Sequence, residues 1–339
     1  MTSWQQGLLQ QAKRNKKDEF YTTLPVIEAE LENYTSAFVD KTVYLNCDDP
    51  RKSNFYQYFV DHFEQLKLKR IIATSYVPFN IENDFYNRRS RQVVYSKGSS
   101  GRGVLESTKE LRGDGDFRSE ESVELLKQAD IVVTNPPFSL FREYVAQLVE
   151  YNKKFIILGN MTAATSKEIF PLFAENKVWY GKSIHSGDRE FIVPDDYPLS
   201  PKGQRIDENG TRYIRVKGVR WFTNLDYPDR YQELKLTRHY DPELYPRYAN
   251  FDAIEVGKTA DIPMDYAGAM GVPVSFLDKY NPEQFEILGS SRTMSEPMGK
   301  YAKAGSYSPG GPRFYLDNGD GTFRRLFERI VIKNRSVEK

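Results

Sequence analysis

Asn135-Pro136-Pro137-Phe138 follows directly on the apolar run Ile131-Val132-Val133-Thr134, so a buried strand ends here in an amide, two rigid prolines and an aromatic ring. Those residue types suit a planar amino group. The carboxamide oxygen of Asn135 and the carbonyl of Pro136, which still accepts although its imide nitrogen cannot donate, can both take hydrogen bonds from one exocyclic NH2. Phe138 can stack on the ring that carries it. Acceptors on an amino nitrogen favour the charge that develops as its lone pair attacks a methyl donor, which is stabilisation of the transition state alone. A strand that merely stops in a Pro-Pro turn would use none of these groups.

Three other segments offer ligand chemistry. Cys47-Asp48-Asp49-Pro50-Arg51-Lys52-Ser53-Asn54 links a strand to a helix, and its turn residues with the helix N-terminal amides could hold a small polar ligand. It lacks the glycines of the dinucleotide fingerprint and of the Walker loop, which disfavours nucleotide hydrolysis. Gly113-Asp114-Gly115-Asp116-Phe117 sets an acceptor carboxylate beside a stacking ring, the makings of an adenine clamp, though Asp-Gly is also an ordinary turn. Asp18-Glu19-Phe20-Tyr21-Thr22, taken alone, reads as an acidic helix entry.

The elements that must position these groups alternate between short apolar runs and amphipathic stretches. Strands are expected at Thr42 to Asn46, Arg70 to Thr74, Ile131 to Thr134 and Phe155 to Leu158. Helices are expected from Phe55 to Leu66 and from Ser119 to Gln128, and after Ser139, which can serve as an N-cap. This is the pattern of an α/β protein with a doubly wound, mostly parallel sheet, whose ligands sit at the carboxyl ends of the strands. Every chemical motif named above lies at such an end.

Composition narrows the setting. The 339 residues carry 48 Lys and Arg against 47 Asp and Glu, a formal charge of +1, so any polyanion site must be a local patch. The single cysteine excludes a disulfide framework, and three scattered histidines lack ligand spacing, so no metal site is expected. No apolar stretch approaches the roughly 18 residues of a membrane span, and no signal-peptide core is visible, so a soluble, cytoplasmic protein is expected.

In their order along the chain these motifs resemble the EcoRI-type adenine-N6 DNA methyltransferases. The resemblance runs through Asp18 to Thr22, Tyr44 to Pro50 with Ser53-Asn54-Phe55, Gly113 to Ser119 and Ile131 to Phe141. It continues in Phe191-Ile192-Val193-Pro194, Trp221-Phe222-Thr223-Asn224-Leu225, Tyr266 to Pro273 and Asn281 to Glu286. It implies a Rossmann-like methyltransferase fold that uses S-adenosylmethionine, with a cofactor-binding and catalytic core over residues 1–180, N-terminal arm included. Residues 181–335 would add the remaining core strands and a target-recognition region. Tyr21 and Thr22 would meet the methionine end of the cofactor, with Cys47, Asp48, Asp49, Pro50, Ser53 and Asn54 lining the same pocket. Asp116 and Phe117 would hold its adenine. Asn135 and Pro136 would accept from N6 of the target adenine, with Asn135 also bordering the cofactor and Phe138 stacking on the base. Trp221 or Phe222 would pin that base from the other side, unless the pair simply packs the core. The usual acidic residue after the second strand is missing, since Thr74-Ser75-Tyr76 stands there, so Asp48 or Asp49 is the candidate for the ribose.

Double-stranded DNA is the expected partner, with a cognate restriction endonuclease as a second. Lys13, Arg14, Lys16 and Lys17 form one basic run, and Arg88, Arg89, Arg91, Lys97 and Arg102 fall in an acid-free stretch, 85–103, read as a mobile loop that neutralises phosphates. Residues 289–313 have a similar loop composition, with Arg292, Lys300, Lys303 and Arg313. A methyltransferase acting on RNA or on protein glutamine would share the amino-group clamp, whereas a non-catalytic nucleic-acid binder would have no use for Asn135.

Overall fold

A computed structural model of the chain describes residues 21–47, 49–77, 89–194 and 204–337. Two units separate by compactness. The first takes Met1–Ile169 and Val178–Tyr227, and the second takes Phe170–Lys177 and Pro228–Lys339.

In the first unit β1 (Tyr21–Thr22) leads into α1 (Leu24–Leu31), then β2 (Thr42–Leu45), α2 (Asn54–Asp61), β3 (Arg70–Thr74), β4 (Arg91–Lys97) and β5 (Gly103–Glu110). There follow α3 (Glu120–Gln128), β6 (Ile131–Thr134), α4 (Phe141–Glu150) and β7 (Lys154–Asn160). β8 (Trp179–Tyr180), β9 (Asp188–Val193), β10 (Gln204–Ile206), β11 (Arg212–Lys217) and β12 (Val219–Thr223) complete it. Eight of these strands form one sheet in the order β5-β4-β3-β2-β6-β7-β12-β8. β3, β2, β6 and β7 run parallel, and every residue of β2 and β6 is buried, which is why those runs carry no polar alternation. The expectation of a mostly parallel sheet therefore holds for its centre only. β4, β5, β12 and β8 pair antiparallel, since a tight turn can join β4 to β5 without a crossover helix. Gly101 supplies the positive φ of 83° that this turn needs. A smaller sheet, β1-β9-β11-β10, pairs Tyr21 with Ile192 and Thr22 with Phe191, so two distant strings of the sequence meet.

The aromatic stripe of the α2 segment is buried as read, through Phe55, Tyr58, Phe59, Phe63 and Leu66, and Phe55 meets Trp221 edge-on at 6.1 Å. The helix itself stops at Asp61, where Phe63 bonds back to Val60 rather than one residue further. Ser139 does not cap α4. A single 3-10 turn over Phe138–Leu140 intervenes and makes Leu140 the N-cap. Glu30 of α1 is fully buried and accepts from the Tyr34 hydroxyl, the amides of Lys182 and Ser183, and the Ser183 hydroxyl. Burial pushes its carboxyl above the usual range despite those donors.

The second unit holds α5 (Phe170–Ala174), β13 (Ile254–Glu255), β14 (Met270–Pro273), β15 (Phe285–Ser290), α6 (Ser291–Met294), β16 (Tyr315–Asp317), β17 (Phe323–Arg325) and β18 (Arg329–Asn334). β13-β14-β18-β15 make a sheet and β16-β17 a hairpin, over a core that includes Tyr248, Phe314, Leu316 and Leu326. A boundary at 180/181 would part β12 from β7, its partner. By compactness the units part at Tyr227. No helix among the described residues is long and apolar enough to cross a membrane.

Candidate active site

The parallel strands β3, β2, β6 and β7 all end on one side of the sheet, and the chemistry-bearing segments leave from those ends. Asn135, 8% exposed, and the buried Pro136 follow β6, where the apolar run gives way to residues that cannot extend the ladder. Phe138 is half-buried and packs on the core beneath.

At the end of β2 stands Asn46, 2% exposed. Its Oδ1 accepts from the hydroxyl of Tyr144 on α4, and its Nδ2 has no acceptor among the described residues. A buried NH2 is nearly always paired in a folded protein, so this donor is open to a ligand or an ordered water. The hydroxyl of Thr22, on β1, is likewise buried without a partner among the described residues.

The 113–117 turn is held against the end of β3. Val77 donates its amide to the Asp114 carbonyl at 2.8 Å, and Ser90 donates its hydroxyl to the same oxygen. Gly115 has φ 79°, and a Cβ there would lie 2.1 Å from the Ser75 carbonyl oxygen, so only glycine fits. Beyond it Phe117 meets Tyr144 edge-on at 5.0 Å, and its carbonyl accepts from Gln147 Nε2 at 3.0 Å. Asp116 is clamped by Arg118, with Nη2 at 2.6 Å and Nε at 2.9 Å. Partial burial works against the charge of Asp116, yet this guanidinium outweighs it and holds the carboxyl below its usual range.

The structure thus brings Cys47, Asp116, Phe117, Asn135, Pro136 and Phe138 to one end of the sheet. Other expected ligands are engaged in the fold. Ser53 is buried as the N-cap of α2, accepting from the amides of Phe55 and Tyr56. Asn54 donates to the Thr22 carbonyl at 2.7 Å and so fixes β1 to α2. Asp49 is paired with Arg51 at 2.7 Å, in the turn that contains Pro50. Trp221 and Phe222 are both 0% exposed. β12 is covered on both faces, with Phe55 against Trp221 and with Phe141 and Tyr180 against Phe222, so neither ring offers a face to a base. Asp48, Lys13, Arg14, Lys16, Lys17 and Arg88 lie outside the described residues.

The basic stretch is not one loop. From Arg91 it forms β4, whose seven residues span roughly 20 Å of the sheet. Gln92 pairs with Thr74 at the carboxyl end of β3, while Ser96 pairs with Arg70 at its amino end. Arg89 and Arg91 therefore belong to the side of the sheet that carries Asn135. Lys97 and Arg102 lie at the opposite side, bordering a groove with Phe63 and Lys67. Sequence reading passed over Asn46, Tyr144 and Arg118 as functional residues. Asn46 carried a usable signal, a polar side chain at the last position of a buried run, but nothing local marks Tyr144, which repeats at core spacing.

The chain matches the family model described as "Adenine-specific methyltransferase EcoRI" over residues 8–335. It is 48% identical over 301 residues to the type II methyltransferase M.EcoRI of Escherichia coli, covering 85% of this chain and 90% of that protein. It is 40% identical over 281 residues to the type II methyltransferase M.MgeORF184P of Mycoplasma genitalium, covering 82% and 84%. With the type II methyltransferase M.MpnI of Mycoplasma pneumoniae the identity is 39% over 281 residues, covering 82% and 83%. No solved structure matches the chain.

Proposed function

The chain belongs to the family of EcoRI adenine-specific methyltransferases, and from that membership we propose that the carboxyl end of its first sheet binds S-adenosylmethionine beside a flipped adenine. The protein is a site-specific DNA adenine methyltransferase of the restriction-modification type. We read the first unit as the doubly wound, Rossmann-like core, a reading supported by the parallel centre of its sheet. The rest of the segment 181–335, chiefly the second unit, is read as the target-recognition region.

The observation that carries the site assignment is the buried NH2 of Asn46 at the end of β2, unpaired among the described residues, whose partner Tyr144 also meets Phe117 of the Asp116-Phe117 turn. These groups fit a zwitterionic adenosine cofactor. Asn46 would donate to one of its oxygens, Asp116 would accept from its adenine amino group, and Thr22 and Cys47 would line the same cleft. When bound, the cofactor supplies a methyl group made electrophilic by its sulfonium.

The remaining chemistry belongs to the protein. An adenine stacked in a duplex cannot reach these groups, so the base must turn out of the helix at a cost of a few kcal/mol, partly offset by stacking on Phe138. Asn135 Oδ1 and the Pro136 carbonyl then accept from N6, fixing its orientation and stabilising the charge it gains. A cognate endonuclease recognising the same DNA site completes the biological reading, in line with the type II designation of the relatives.

The test is labelled-methyl transfer to duplex DNA by the wild type and by Asn135→Ala, followed by modification-detecting sequencing. Methylation at one adenine within a fixed sequence, lost in the variant while calorimetric S-adenosylmethionine binding persists, is the expected result. Transfer by Asn135→Ala at the wild-type rate overturns the site assignment.

A further inference from the structure

Leu326 and Phe327 are adjacent, yet the smaller side chain is buried in the core of the second unit and the larger is 87% exposed. Turning an aromatic ring outward forgoes the burial that would reward it, and a ring this open is suited to contact with something else. Its surroundings indicate what. Phe327 lies between Arg324-Arg325 and Glu328-Arg329, on the link from β17 to β18.

The carboxylate of Glu328 is shared by Arg292 at 2.7 Å and Arg313 at 3.6 Å. Arg325 lays its guanidinium along the glycine turn, donating to the Gly311 carbonyl at 3.0 Å, where a Cβ on Gly310 would crowd it at 2.9 Å. Arg324, which pairs with Leu316, stands on the opposite face of the hairpin from Arg325, which pairs with Tyr315. Three guanidiniums, those of Arg292, Arg313 and Arg325, against one carboxylate leave two positive charges, while Arg329 is neutralised separately by Glu255 at 2.6 Å. The acids of the hairpin, Asp317 and Asp320, are engaged at its other end, in the 317–322 turn.

We propose that Phe327 and the arginines around it form a contact face for duplex DNA, in which the guanidiniums hold phosphates and the ring stacks on or wedges between bases. Planar guanidiniums suit phosphate oxygens, and an aromatic ring among them supplies what charge cannot, a grip on the bases themselves. This rests on the protein being a DNA methyltransferase, and it assigns a role to residues outside the methyl-transfer site.

The experiment compares wild type, Phe327→Ala, Phe327→Trp and Arg325→Gln on a short duplex that carries the sequence methylated by the wild type. Affinity is measured across a salt series, with S-adenosylmethionine calorimetry and sedimentation in parallel. Phe327→Ala should lose roughly ten- to hundredfold in DNA affinity with the salt slope unchanged, and Phe327→Trp should restore it. Arg325→Gln should flatten the slope by about 0.9. Cofactor binding should not change in any variant. Wild-type affinity in Phe327→Ala overturns the proposal, as does a loss matched by loss of cofactor binding, which would mark a folding defect. A changed sedimentation coefficient with intact DNA affinity also overturns it, assigning the face to a second copy of the chain. If the wild type itself fails to methylate DNA, the parent reading fails instead.

Discussion

The hydroxyl of Tyr144 donates to Oδ1 of Asn46, so the helix that follows Asn135-Pro136-Pro137-Phe138 is tied to the end of a strand 98 positions earlier. One bond thereby joins the segment proposed to meet the target base to the segment proposed to border the cofactor. It also fixes which way the Asn46 amide faces, since the oxygen is claimed and the NH2 has no acceptor among the described residues.

Tyr144→Phe keeps the ring against Phe117 and removes only that donor. S-adenosylmethionine affinity should fall by a few fold to about tenfold, the scale of one neutral hydrogen bond. Isothermal calorimetry checks this, and an unchanged dissociation constant would remove Asn46 from the cofactor pocket.

Asn135→Ala should slow methyl transfer by roughly a hundredfold or more while leaving cofactor affinity near wild type, because its proposed role is to accept from the substrate amino group. Single-turnover kinetics on saturating DNA separates the chemical step from binding.

Asp116 carries a pH signature. Arg118 holds its carboxyl below the usual range, so the folded value lies under the unfolded one. The contribution of the charged pair is thus complete above the ordinary aspartate range and is lost as pH falls through the depressed value. Wild-type cofactor affinity should stay level from neutral pH down into the acid range. In Arg118→Met the decline should begin at higher pH, and superimposable profiles would count against this role.

The two ends of β4 should behave differently on DNA. Neutralising Arg89 and Arg91 should flatten the salt dependence by up to about 0.9 per lost phosphate contact, with base preference retained. Neutralising Lys97 and Arg102, at the far side of the sheet, should leave it unchanged. Equal effects from both pairs would show that DNA reaches around the sheet.

Glu30→Ala strips the acceptor from the amides of Lys182 and Ser183 and from the Tyr34 hydroxyl. With several buried donors unsatisfied, the loss should reach about 3 kcal/mol or more, readable as a lowered midpoint in urea. A midpoint within error of wild type would mean that water replaces the carboxylate.

What was legible in the sequence followed short-range rules. The runs at Val43, Ile71, Val132 and Ile156 became the parallel centre of the sheet because only strands buried on both faces are apolar without alternation. Val219–Thr223 is buried at every position although Arg220 interrupts its apolar run, and Trp221 and Phe222 pack the core, the other reading offered for that pair. Ser53 was equally readable as a cap from its place before Phe55. Illegible were the relations that depend on register and long-range closure. The pairing of β4 with β3 sends Arg91 and Lys97 to opposite sides, and nothing within 85–103 announces it. Nor does the spacing of α4 distinguish Tyr144, which reaches Asn46, from Tyr or Leu side chains that only pack.

Cys47, the one cysteine of the chain, sits immediately after Asn46, its Sγ 3.9 Å from the carboxamide oxygen. The molecule therefore carries its own chemical footprint. Alkylation by a small thiol reagent, followed by mass spectrometry, times how often the end of β2 is open, and protection by added ligand converts that rate into occupancy in the unaltered protein.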